Sequence, residues 1–79
     1  MRTRKPHENG VSVEREDSGA GWHWAATSAD ARLRYADVVA RISDAGPDVV
    51  TRIQLVELGQ FVEETTLGRD GAVRARASV

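Results

Sequence analysis

Val49-Val50-Thr51-Arg52-Ile53-Gln54-Leu55-Val56-Glu57-Leu58-Gly59-Gln60-Phe61-Val62-Glu63-Glu64-Thr65-Thr66-Leu67 is the stretch on which the fold turns. It is rich in Val, Ile, Thr, Leu and Phe, and Ile53 and Leu55 alternate with Arg52 and Gln54, which predicts a strand over 50–58. Gly59 then marks a bulge or a turn, and a further strand runs from Gln60 to Thr66. The competing reading is a second helix with Pro47 in its first turn. Val50, Ile53, Glu57, Phe61 and Glu64 would then share one stripe. That stripe is only partly apolar, so two strands are the expectation.

Downstream, Gly68-Arg69-Asp70-Gly71 predicts a hairpin turn, because Asp-Gly readily takes the positive φ angles of tight turns. Val73, Ala75, Ala77 and Val79 then alternate with Arg74, Arg76 and Ser78, a two-residue period that predicts a last strand up to Val79. Upstream, Gly46 and Pro47 form a helix stop. The helix they end begins at Thr27 or Ser28, with Thr27 and Asp30 at capping-box spacing. Ala31, Tyr35, Val38, Val39, Ile42 and Ala45 recur every three or four residues and form its apolar stripe.

Before the helix, Val11 and Val13 alternate with Ser12 and Glu14 as a strand, and residues 17–21 supply the glycine for a hairpin turn. The return strand runs from Trp22 to about Ala26, with Trp22, Trp24 and Ala26 on one face and His23 and Ala25 on the other. Residues 1–10 lack periodicity and carry Arg2, Arg4 and Lys5, which predicts a flexible basic tail ahead of one domain over 11–79. The sum is an α+β fold: ββα followed by two or three strands, an antiparallel sheet of four to five strands with one amphipathic helix packed on one face.

Seventy-nine residues hold one small domain, and a domain of this size buries only about 60% of the surface its unfolded chain exposes. Cysteine is absent and His7 and His23 are the only imidazoles, so neither disulfides nor a structural metal is expected to reinforce it. Association with a partner is the remaining route, and a symmetric homodimer or a hetero-complex stands beside the free monomer. No apolar run follows the N-terminal cations, so no secretory signal or membrane span is read and a cytoplasmic protein is expected. The net charge of −1 conceals an uneven distribution: the body is acidic, while both ends are basic. An acidic body argues against broad contact with a phosphate backbone.

Catalysis in so short a chain requires an activated nucleophile, a metal site or paired carboxylates in a cleft. The five serines have no histidine at motif spacing, and neither a glycine-rich phosphate loop nor a His/Cys metal pattern is present. Glu63 and Glu64 would face opposite sides of a strand and so could not share a proton. The expectation is no enzyme, no cofactor and no metal.

The candidate binding residues are therefore Trp22, Trp24, His23, Arg74, Arg76, Glu63 and Glu64. Trp22 and Trp24 either fill a small core or form an exposed aromatic platform. His23 points away from them, toward solvent, with Glu14 and Glu16 able to lie across from it. Arg74 and Arg76 share one side of the last strand, beside Arg52 if strands three and five are neighbours; they either guard an edge or form a small basic patch. Asp30, Arg34, Asp37, Arg41 and Asp44 form a charged helix face, with acid before base at four-residue spacing. The dispersed acids, Glu57, Glu63 and Glu64 among them, read as a solvated surface or as an imitation of nucleic acid.

Val13-Glu14-Arg15-Glu16-Asp17, followed by glycine, Trp22 and a helix, resembles the first hairpin and helix of HicB-type antitoxins. Such antitoxins continue the second strand into a segment with Pro and Gly before the helix. Here Ala25-Ala26-Thr27-Ser28 leads directly into it, and no family is assigned.

The functional expectation is a small non-enzymatic protein–protein interaction module, such as an inhibitor or adaptor of phage or bacterial origin. One alternative is a nucleic-acid binder whose Trp22 and Trp24 stack on bases while Arg74, Arg76 and the basic tail hold phosphates. Another is a structural subunit of an oligomer, whose folding would depend on concentration.

Overall fold

The computed structural model describes residues 8–78. The basic segment over 1–7 and Val79 lie outside the described residues. Six elements follow in order: β1 (Asn9–Arg15), β2 (Ala20–Ala25), α1 (Ser28–Ala45), β3 (Thr51–Glu57), β4 (Gln60–Leu67) and β5 (Val73–Ser78). All strand pairs are antiparallel, and the sheet order is β2-β1-β3-β4-β5. The stretch over 49–67 is thus two strands, because period-two alternation buries Ile53 and Leu55 completely while Arg52 stays exposed. Asn9 and Gly10, expected in the tail, instead open β1.

The helix crosses from β2 to β3 and lies over β1, β3 and β2. Its stripe, Ala31, Tyr35 and Val38 with Val39 and Ile42 at its border, packs on Val11, Val13, Ala25, Ile53, Leu55 and Leu67. Ala45, expected on that stripe, is exposed in the last turn. Thr27 caps the helix, its hydroxyl accepting from the Asp30 amide at 3.1 Å, and Gly46 ends it at φ 74°.

Three tight turns set the register. In the first, the left-handed residue is Ser18 (φ 75°) rather than a glycine, and the Asp17 carboxylate accepts from the Gly19 amide at 3.1 Å. In the second, Leu58 (φ 52°) and Gly59 (φ 79°) are both left-handed, the conformation that matches strand twist in a two-residue hairpin. Gly59 is therefore a turn residue, and the bulge of this hairpin falls at Leu55/Val56. In the third, Gly71 (φ 89°) lies against the backbone of Ser43, whose hydroxyl donates to the Gly71 carbonyl at 2.6 Å. A side chain at position 71 would collide with the helix, so this turn docks the end of α1.

Candidate functional site

Among the described residues, the helix covers one face of the sheet and no element packs across the other. Ala25 is buried in the core beneath α1, so the pleat turns Trp22 and Trp24 to the opposite, uncovered face. They are 40% and 54% exposed. The core-filling reading of the pair is thereby corrected: Val11, Val13, Ile53, Leu55 and Tyr35 are among the residues that fill the core.

Strand register shows what surrounds the two indoles. Trp24 is opposite Gly10, Gly10 is opposite Val56, and Val56 is opposite Phe61. The next row runs Trp22, Ser12, Gln54, Glu64 and Ala77. Gly10 has no side chain, and the Trp22 ring occupies the space above it: a methyl group there would stand 2.7 Å from Trp22 Cζ2. Val56 is buried yet separate from the cluster under the helix, so its cover comes from the open face. Trp22, Trp24, Val56 and the exposed Phe61 thus form an apolar band across four strands. Sequence analysis missed Val56 and Phe61, because their place beside the indoles depends on β1 lying between β2 and β3.

The charged groups at the margins are paired locally. Glu14 bridges to Arg52 at 3.2 Å, and Gln54 donates to Glu64 at 2.9 Å. At the turn end, Glu16 accepts from the Val50 amide at 3.0 Å and from Arg69 at 3.2 Å; the amide chiefly, then Arg69, lowers its pKa below the ordinary value. Arg15 holds Asp17 below its ordinary value in the same way, through a hydrogen bond at 3.0 Å. At the other end, the Arg32 guanidinium binds the half-buried Glu57 carboxylate, tying α1 to β3.

The remaining candidate residues do not gather at the indoles. His23 is exposed on the helix side, opposite Val11; Glu14 pairs instead with Ala20, so neither Glu14 nor Glu16 faces it. Strands three and five are separated by β4, which parts Arg52 from Arg74 and Arg76. Arg76 is opposite Thr65 on the helix side, where it and Glu63 line a groove of about 460 Å³ between α1 and the β4–β5 hairpin. Arg74 lies near the third turn, against Gly68. Glu63 and Glu64 do face opposite sides. Four strand spacings of about 4.8 Å separate β2 from β5, so the tryptophans and arginines stand about 19 Å apart across the sheet. Arg76 also occupies the helix face, opposite to the indoles, while the register shift at Thr66/Leu67 puts Arg74 out of step with it.

Among the described residues, no three His, Asp or Glu side chains converge as metal ligands, and no helix is long and apolar enough to cross a membrane. The chain matches no protein-family model, no curated protein and no solved structure.

Proposed function

We propose that this chain is a small, non-enzymatic protein–protein interaction module, acting as an inhibitor or adaptor through the open face of its sheet on the β2 side. The observation that carries this reading is the exposure of Trp22 and Trp24 on the face the helix does not cover. Together with Val56 and Phe61 they form a contiguous apolar band, and such bands on small proteins mark contact surfaces. Tryptophan is also the residue type that most often dominates interface energetics. The margin, with the Glu14–Arg52 ion pair and the hydrogen bond from Gln54 to Glu64, supplies the polar rim expected around such a centre.

The test compares the proteins retained from a cell lysate by the tagged wild-type chain and by Trp24→Ser. Trp24 is the more exposed indole, so the substitution leaves the fold intact, as circular dichroism would verify. Loss of specifically retained proteins supports the reading. Identical retention by both chains overturns it.

A further inference from the structure

We infer that a second copy of this chain packs on the helix side of the sheet, its α1 lying beside the first α1 in the groove over β4 and β5. This contact is on the face opposite Trp24 and Phe61, and it does not depend on the reading of that face as a contact surface. The helix packs on β1, β2 and β3, and beyond it lies the groove of about 460 Å³. Ala36, Val39 and Ser43 form the wall of this groove, while Glu63, Thr65, Val73 and Arg76 form its floor. Val73 is 48% exposed there. Two strand spacings of about 4.8 Å make a floor about 10 Å wide, the diameter of one helix. Among the described residues α1 is the one helix, so a helix in this slot comes from another chain.

The outer surface of α1 has the character that such an occupant needs. Its inner side buries Ala31, Tyr35 and Val38. Helical periodicity places Ala29, Leu33, Ala36 and Ala40, spaced by four, three and four residues, on the opposite side. All four are exposed, and Leu33, at 72%, is the most exposed large apolar side chain among the described residues. A two-fold axis parallel to α1 sets the two helices side by side between two sheets. Each helix then rests its inner stripe on its own sheet and its outer stripe on the second copy's β4 and β5. One operation thus covers the groove and the outer stripe in both copies, as an isologous contact requires. The two Trp24 faces are left on opposite outer surfaces.

Charge complementarity selects a second copy rather than an unrelated helix. Tyr35 hydrogen-bonds to Thr65, and Thr65 is opposite Arg76, so Arg76 stands level with Tyr35 along the helix. Among the described residues, Arg76 forms no ion pair within its own chain. An axis along the helices preserves that level. Arg76 therefore meets the second copy's α1 near Asp37, two residues past Tyr35 and at the border of the outer stripe. Asp37 is exposed, and its carboxylate bridges Arg41 of the same helix at 2.9 Å. In the pair it gains a second guanidinium across the interface.

Sedimentation equilibrium of the full chain decides the matter, applied to wild type, Leu33→Glu, Arg76→Glu, the double variant Arg76→Glu/Asp37→Arg, and Trp24→Ser. All four positions are exposed, so the variants retain the fold, verified by circular dichroism. Wild type is expected to dimerise, and Leu33→Glu and Arg76→Glu to do so about tenfold or more weakly. The double variant should recover association by reversing the pair, and Trp24→Ser should dimerise as wild type does. A monomeric wild type overturns the inference; so does a dimer indifferent to Leu33→Glu or to Arg76→Glu, or a double variant no tighter than Arg76→Glu alone. Loss of the dimer in Trp24→Ser would likewise overturn it, by placing the contact on the open face.

Discussion

The ring of Trp22 lies over Gly10, occupying the space a side chain at position 10 would need. This contact holds one indole against the sheet floor while its neighbour Trp24 stands further out. Gly10→Ala is expected to displace the ring and crowd the His23 carbonyl, with a loss of about 1–3 kcal/mol, the usual range for forcing extra volume into a packed site. Urea unfolding measures the loss, and a red shift of tryptophan emission reports the displaced ring. Unchanged emission would show that Gly10 does not seat Trp22.

Tyr35 Oη and Thr65 Oγ1 share a buried hydrogen bond of 2.5 Å that joins α1 to β4. Tyr35→Phe leaves the Thr65 hydroxyl buried without that partner, and about 1–2 kcal/mol of stability is expected to be lost. Adding Thr65→Val removes the orphaned group, so the double variant should lose less than the two single losses combined. Strict additivity in chemical denaturation would contradict the coupling.

Burial of the Tyr35 phenol, more than any other influence, raises its pKa above the ordinary value. A raised folded-state pKa means that folding favours the protonated phenol. The resulting stability is fully present below the unfolded tyrosine pKa and disappears as pH rises through the folded value. Wild type should therefore lose stability faster than Tyr35→Phe in strongly alkaline solution. Parallel pH profiles would rule this out.

Glu16 and Asp17 behave in the opposite sense. Their lowered pKa values mean that folding favours the carboxylates, so their contribution is present above the unfolded carboxylate pKa and is lost as pH falls through the folded values. Glu16→Gln should flatten the acid limb of the stability profile. Carboxylate titration followed by NMR gives the direct check, and an ordinary Glu16 midpoint would contradict the assigned hydrogen bonds.

Leu58 adopts a left-handed backbone (φ 52°) while its side chain is largely exposed, so this leucine incurs a conformational cost with little burial in return. Leu58→Asn creates an Asn-Gly pair suited to this turn and should stabilise the protein by about 0.5–1 kcal/mol. The Leu58 amide donates to Asn9 Oδ1 at 2.9 Å, a bond that clamps β1 to the turn. Asn9→Ala should cost about 1 kcal/mol and speed hydrogen exchange at that amide. A destabilising Leu58→Asn would show that the leucine makes a compensating contact.

Much of the fold was legible in local chemistry. Thr27 and Gly46 bracket α1 because capping depends on residues within one turn, and Asp70-Gly71 marks the last hairpin because few residues tolerate its backbone. The alternation of Ile53 and Leu55 with Arg52 and Gln54 favoured a strand over the competing helix, and the antiparallel pairing of β3 with β1 and β4 decided between them. Ser18 and Leu58 escaped notice as left-handed residues, since neither type favours that conformation and the neighbouring glycines offered a simpler reading.

The sequence by itself determined that Trp22 and Trp24 share one face of a strand, because side chains two residues apart always do. It also indicated one capped helix and strands with a two-residue period around Val11, Trp22, Ile53 and Val73. Only the tertiary structure decided which face α1 covers, and hence that Ala25 goes under the helix while the indoles remain outside. The same long-range packing placed β1 between β2 and β3, brought Val56 and Phe61 into the indole band and set Arg74 and Arg76 on the far edge. Strand order and helix side are choices among distant segments, fixed by the total area they bury together, and no local period records them.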